Sequence, residues 1–222
     1  MKATIIQNSA YGAAGLVQEF ITAKGWTARQ TLLPADLIHR DLRTVVDDVV
    51  ILLGSPRGTY ETHVQWIARE LALVRRLVAE EVPLFGICFG AQMIATTLGG
   101  SSTPMDHRYR GWMPNHEVVS EVWRGPWLRW HGDVIALPSE AEIFSADGDV
   151  VQAFRRGTAV GVQFHPEVSA DLLRAWLEER GTGDGSGRAE LETAIAYADA
   201  NGPAIRRRAF DLFEHVFEMI RS

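Results

Sequence analysis

The sequence predicts an α/β fold with a mixed, mainly parallel β-sheet and helices on both faces. Three observations support this. Through the first hundred residues, apolar runs and segments of helical spacing follow one another as strand, helix, strand, strand, helix, strand, helix. The run V-V-I-L-L at 49–53 is apolar throughout, as expected of a parallel strand covered on both faces. After Gly100 the pattern changes to short segments separated by turn pairs such as Asp147-Gly148 and Arg156-Gly157, which read as antiparallel strands extending the parallel core.

In order, residues 3–7 form a short apolar strand ending in the turn N-S-A-Y-G. Residues 12–24 carry Ala13, Leu16, Val17, Phe20 and Ile21 at helical spacing, with Gly25 as C-terminal cap. Residues 26–33 alternate as a second strand, closed by Pro34. After the strand at 49–53 comes the backbone-dominated loop G-S-P-R-G, then an amphipathic helix from about 61 to 79. Residues 82–87 form a buried strand and 89–98 a helix, with Cys88 at the joint. The later strands are expected at 118–123, 133–137, 142–145, 150–154 and 159–164, followed by a helix at 170–180. The stretch G-T-G-D-G-S-G at 181–187 reads as a flexible loop. Two further helices, 189–200 and 203–220, are expected, split by Asn201-Gly202 with Pro203 in the first turn of the second. The chain is expected to be one domain over 1–222, with 189–221 a C-terminal helical extension.

Composition narrows the function. The 222 residues are 46% hydrophobic and 23% charged, as in an ordinary globular chain. The net charge of -6 offers no basic surplus to displace counterions, which argues against a nucleic-acid partner. A single cysteine excludes an intrachain disulfide framework and an all-cysteine metal site. The scattered Asp, Glu and His residues show no metal-ligand spacing, and no metal or cofactor is expected. There is no signal-peptide core or membrane-spanning run, so a cytoplasmic protein with no membrane partner is expected.

Cys88 is the candidate nucleophile. It lies in G-I-C-F-G-A-Q, on a sharp strand-to-helix turn where Gly86 and Gly90 leave room for a crowded backbone. The following helix aims its free N–H groups at the sulfur, which favours a thiolate. Of seven histidines, His165 is the candidate base. It ends the apolar strand of G-V-Q-F-H-P-E, and Glu167 stands two residues on, able to fix the tautomer of the ring. The backbone N–H groups of Phe89 and Ser55 are the candidate oxyanion donors, since Pro56 has none to give.

Together these motifs resemble the class I, triad-type glutamine amidotransferase family. The likeness covers about 49–169 and includes G-S-P-R-G, G-I-C-F-G-A-Q and F-H-P-E in the family's order. The stretches R-G-W-M-P (110–114) and W-H-G-D-V-I-A-L-P (130–138) look like stand-alone members related to the amidotransferase domain of GMP synthase. The resemblance implies a flavodoxin-like sheet, a Cys88–His165–Glu167 triad, and a γ-glutamyl thioester on Cys88 with release of ammonia. It also implies that Gln92 and the loop around Gly54, Ser55 and Gly58 hold glutamine. Two departures are visible. Ser55 stands where the family often has glycine, at a cost if that position needs a positive φ. Arg110 stands where relatives often carry Glu.

The partners expected are glutamine or a γ-glutamyl small molecule, and a separate synthetase subunit that accepts ammonia. The alternatives are a free-standing γ-glutamyl peptidase or hydrolase and a non-catalytic binding subunit. A cysteine-elbow α/β-hydrolase fits poorly, because there the acid precedes the histidine in the chain. Trp112, Trp123, Trp127 and Trp130 read as packing over the sheet edge, and Arg206–Arg208 as the solvated face of the last helix. His131 and Asp133 are placed either at the active-site mouth or in the framework.

Overall fold

The computed structural model describes residues 1–45, 47–180 and 187–221, with only the backbone at 179 and 180. The first half contains β1 (Lys2–Ile6), α1 (Gly15–Ala23), β2 (Thr27–Leu32), α2 (Pro34–His39), β3 (Val49–Leu52), α3 (Gln65–Ala79), β4 (Leu84–Ile87) and α4 (Phe89–Thr97). The second contains β5 (Ser101–Met113), β6 (Glu117–Val118), β7 (Trp127–Ala136), β8 (Glu142–Asp147), β9 (Val150–Arg156), β10 (Ala159–Val162), α5 (Ala170–Arg180) and α6 (Arg188–Met219).

One sheet runs β2-β1-β3-β4-β10-β9-β8-β6, and β5 pairs with β7 in a separate two-stranded sheet. The pairings from β2 to β10 are parallel, and those from β10 to β6 are antiparallel. Alternation along each strand divides the core. Ile5, Ile51, Phe85 and Val160 align across four strands and face α1, α5 and α6. Val50, Leu52 and Leu84 face the other way, toward α2, α3 and α4. Phe20 of α1 and Phe213 and Phe217 of α6 interlock edge-on and stacked over Phe85.

The mainly parallel α/β plan matches expectation, while several elements differ. The two expected C-terminal helices are one helix of 32 residues with Pro203 inside it. Proline removes an interior helix hydrogen bond at a cost of about 3 kcal/mol. Here the buried stripe runs through it, with Ala194 and Ala198 before and Ile205, Ala209, Phe213 and Phe217 after. That continuous burial outweighs the local break. Pro34 closes β2 and also opens the short α2, where the Asp36 carboxylate accepts from the Leu33 N–H.

The expected strand at 118–123 contributes only Val118 to β6. The chain then coils through a 3-10 turn at Glu121–Trp123, because the Trp123 carbonyl accepts from the Asn115 side chain (2.7 Å) and the Trp127 indole (2.9 Å). The expected strand at 133–137 is the end of the much longer β7. Its partner β5 reads S-S-T-P-M-D-H-R-Y-R-G-W-M and lacks apolar alternation. Pairing jumps from Pro104↔Asp133 to Tyr109↔His131, so residues 105–108 stand opposite Gly132 alone and bulge out of the ladder. Most of the expected glycine loop, 181–186, lies outside the described residues.

The hairpin is anchored by polar contacts. Buried Arg129 pairs with Asp147 and donates to Asn115 Oδ1 (2.7 Å) and the Pro114 carbonyl (3.0 Å). Trp112 stacks on Tyr197 of α6 and donates its indole N–H to the Ala194 carbonyl (3.0 Å). Arg206 is solvated as expected and paired with Glu19, whereas Arg208 reaches inward to the Pro126 carbonyl (2.9 Å). Among the described residues no helix is long and apolar enough to cross a membrane.

Candidate active site

Cys88 caps α4 at the end of β4, with φ 51° and ψ -105°. A non-glycine residue there costs on the order of 1–3 kcal/mol and needs a surround that enforces it. The surround is visible. The Cys88 N–H donates to the Val162 carbonyl of β10 (2.8 Å), and its carbonyl accepts from the Gln92 N–H (3.0 Å). A Cβ on Gly86 would lie 2.6 Å from the Gly90 carbonyl, and one on Gly90 would run into the Leu52 carbonyl. The glycines on either side of Cys88 therefore let α4 press against β3 and β4. Phe89 is the first residue of α4, so its N–H has no acceptor within the helix. Its side chain points away into the core.

His165 arrives from the end of β10. Its N–H donates to the Leu128 carbonyl of β7 (2.8 Å), and the neighbouring Phe164 stacks on Trp127. Nδ1 lies 2.7 Å from Glu167 Oε1, and both side chains are nearly fully buried. The Glu167 carbonyl is held in turn by the Leu16 N–H at the start of α1 (2.8 Å). Burial opposes charge on the ring, but the negative charge of Glu167 and then the influence of Cys88 outweigh it. The imidazole is held well above its ordinary pKa. Among the described residues, its Nε2 has no hydrogen-bond partner of ordinary geometry. Trp176 of α5 covers the ring edge-on at 5.1 Å.

The loop after β3 closes the third side. A Cβ on Gly54 would stand 3.2 Å from His165 Cε1 and 3.8 Å from the Cys88 Cβ, so this backbone borders both residues. Ser55 does not adopt a positive φ, so the departure from glycine carries no backbone strain in this structure. Its hydroxyl accepts from the Arg57 N–H (3.2 Å). The Gly58 N–H is taken by Glu61 Oε1 (2.8 Å) and is not free for a ligand.

These groups open on one cleft of about 530 Å³ lined by Gly54, Ser55, Gly58, Cys88, Gln92, His165 and Glu167. Every expected site side chain or loop residue except Phe89, whose contribution is its backbone, lines it. Of the opposite wall, the sequence places only His131 and Asp133 at the active-site mouth, as one of two alternatives. That wall comes from the β5 bulge and β7, with Met105, Arg108, Tyr109, Arg110, Trp130 and Asp133. Trp130 lies in this wall under Arg110 rather than packing over the sheet edge, unlike the buried Trp123 and Trp127. The Asp133 carboxyl is pushed upward by burial.

His131 also lines the cleft. Its Nδ1 lies 3.0 Å from the Asp133 carbonyl, which can only accept, so Nδ1 carries the proton and the buried Nε2 is an unpartnered acceptor. Burial lowers its pKa to about 3, which keeps the ring neutral. Gln163 had no expected role, although it stands two residues before His165. Its Nε2 lies 3.9 Å from the Cys88 sulfur. Among the described residues no three His, Cys, Asp or Glu side chains group as metal ligands.

Fold and cleft together define an α/β protein with cysteine, histidine and glutamate converging at the carboxyl edge of a parallel sheet. The chain belongs to the class-I glutamine amidotransferase family, whose model matches residues 26–179. It is 28% identical over 190 residues to a glutamine-hydrolysing GMP synthase of Thermomicrobium roseum, covering 80% of this chain and 34% of that protein. To the GMP synthase of Cytophaga hutchinsonii it is 37% identical over 139 residues, covering 55% of this chain and 25% of the relative. The chain thus spans a quarter to a third of these relatives. A glutamine amidotransferase structure from Thermotoga maritima superposes with a TM-score of 0.84 at 25% identity, over 100% of this chain and 99% of that one. One from Methylobacillus flagellatus gives 0.80 at 20% identity, over 98% and 94%.

Proposed function

We propose that the protein hydrolyses the γ-amide of glutamine through a γ-glutamyl thioester on Cys88. The observation that carries this is Cys88, on its enforced strand–helix turn, sharing one cleft with a buried His165–Glu167 pair at 2.7 Å. The Cys88 sulfur attacks the γ-carbonyl carbon as thiolate, its proton already held on His165. The backbone N–H groups of Ser55 and Phe89 hold the oxyanion. As the tetrahedral intermediate collapses, the C–N bond breaks and His165 returns the proton to the leaving nitrogen, which departs as ammonia. Water then attacks the thioester, His165 accepts its proton, and glutamate leaves with regeneration of the thiol. Glu167 holds the Nδ1–H tautomer and stabilises the imidazolium. Gln92, Gly54 and Gly58 border the bound glutamyl group.

Delivery of the ammonia to a separate synthetase subunit is part of this proposal, and the likeness to glutamine-hydrolysing GMP synthases supports it. A second reading is a free-standing hydrolase of γ-glutamyl amides or peptides. The size of the cleft favours it, since about 530 Å³ suits drug-sized ligands better than a single amino acid. The test is ammonia release from glutamine beside amine release from a γ-glutamyl dipeptide, with wild type and Cys88→Ala. Turnover abolished by the substitution supports the mechanism, and preference between the two compounds decides the substrate. Unchanged turnover in a folded Cys88→Ala protein removes the proposal.

A further inference from the structure

The cleft is backed by a buried polar pair that no step above uses. Asn8 follows β1 and is 4% exposed, and Glu70 of α3 is fully buried. Asn8 Nδ2 donates to Glu70 Oε1 (3.1 Å) and to the Leu53 carbonyl (3.3 Å). Leu53 directly follows β3 and is still tied to the sheet, through its N–H to the Ile6 carbonyl (2.9 Å). The next residues are Gly54 and Ser55, and Pro56 has no donor with which to fix the loop beyond them.

An apolar pair would be the cheaper filling here. The face of α3 around Glu70 is Ile67, Leu71, Val74 and Leu77, and Asn8 Oδ1 and Glu70 Oε2 have no partner among the described residues. A buried polar group left unpaired costs about 1–3 kcal/mol. What the pair provides is a grip on the one carbonyl between the sheet and the oxyanion loop.

We propose that Asn8 and Glu70 are positioning residues for acyl transfer, Asn8 holding the Leu53 carbonyl and Glu70 holding Asn8, so that the Ser55 N–H stays aimed at the developing oxyanion. The proposal rests on the thioester mechanism above. Burial raises the Glu70 pKa to about 8, with only the Asn8 hydrogen bond opposing. Near neutrality the pair is therefore held with the carboxyl protonated, and adds no negative charge behind the oxyanion site. Displacement of an oxyanion donor by about 1 Å, or its loss, lowers turnover by roughly a hundredfold or more, which bounds the effect.

The test separates acyl transfer from thiol reactivity. Hydrolysis of γ-glutamyl-p-nitroanilide requires an oxyanion site, whereas alkylation of Cys88 by iodoacetamide is a displacement at a saturated carbon and does not. Asn8→Ala and Glu70→Leu are expected to lower kcat about tenfold to a hundredfold. KM and the alkylation rate should stay near wild type, and Glu70→Leu should be at least as resistant to heat. Glu70→Gln, which keeps an acceptor for Asn8, should restore most of kcat. Retention of wild-type kcat in Glu70→Leu overturns the proposal, as does a parallel fall of acylation and alkylation. A wild-type protein alkylated normally yet inert toward every γ-glutamyl compound removes the mechanism itself and the proposal with it, an outcome read from the wild type alone.

Discussion

The two walls of the cleft are built differently. On the parallel side, Cys88 and Gly54 sit at the ends of β4 and β3, held by backbone hydrogen bonds and by glycines that admit no Cβ. On the hairpin side, Arg108, Arg110 and Trp130 project from a bulged two-stranded ladder resting on α6 and on the Arg129–Asp147 pair. The first wall fixes atoms to fractions of an ångström, as bond-making requires. The second offers long side chains that can adapt to whatever lies beyond the reacting carbonyl. Substitutions on the parallel side should therefore strike kcat, and those on the hairpin side KM and substrate choice.

The largest effect is expected from Cys88→Ala, which should lower turnover by more than about a thousandfold while thermal melting stays close to wild type. Glu167→Gln should follow, with a loss on the order of 10²–10⁴ in kcat, because the amide cannot stabilise the imidazolium. Substrate binding measured by calorimetry should persist in both. If either loss appeared in KM alone, the division between the walls would fail.

Next in size is an effect on stability. The folded-state pKa of Glu70 is raised to about 8, so the native state keeps a proton that the unfolded chain releases near the ordinary value of 4.5. This contribution is full below pH 4.5 and is lost as pH rises toward 8. His131 acts in the opposite sense, since its folded-state pKa is depressed to about 3 and its effect is confined between pH 3 and 6.5. Between pH 6.5 and 8 the Glu70 slope stands without it. Glu70→Gln should flatten the fall in unfolding free energy across that window by on the order of 1–2 kcal/mol, read from urea titrations at each pH. His165, also raised, adds a decline of the same sign that the variant leaves in place.

Smaller effects belong to the hairpin. Arg108→Ala should raise KM several-fold, up to about tenfold, for γ-glutamyl compounds with an anionic leaving group, with kcat preserved. An equal effect on glutamine itself would put Arg108 at the glutamyl end of the cleft. Least of all, Glu190→Ala should leave the melting temperature close to wild type, since the carboxylate of its pair with Arg110 is solvent-exposed.

The same division explains what the sequence disclosed. Cys88, His165 and Glu167 are specified locally: a short apolar strand, a glycine-flanked turn, and a His-Pro-Glu sequence just beyond β10, which ends at Val162, earlier than the expected 164. Each signal lies within a few residues, and the structure brings all three to one cleft. The hairpin wall has no such local code. β5 contains Pro104 and the polar run Asp106, His107, Arg108, so no alternation marks it, and residues 114–126 separate it from its partner β7. Trp130 and Arg110 become cleft residues only through that pairing. Pro203 misleads for the reverse reason. Its local rule is sound, but a buried stripe spanning Leu191 to Phe217 overrides it. Asn8 and Glu70 escaped notice because nothing in one dimension places residue 8 beside residue 70.

The central claim is that a glutamyl group becomes bonded to Cys88. A glutamine analogue carrying a diazoketone in place of the γ-amide tests it directly, with labelled peptides mapped by mass spectrometry. The mechanism predicts one label per chain, on Cys88, formed more slowly when glutamine is present and absent from Cys88→Ala. Labelling at another residue, or continued turnover of glutamine by protein fully labelled at Cys88, would contradict it.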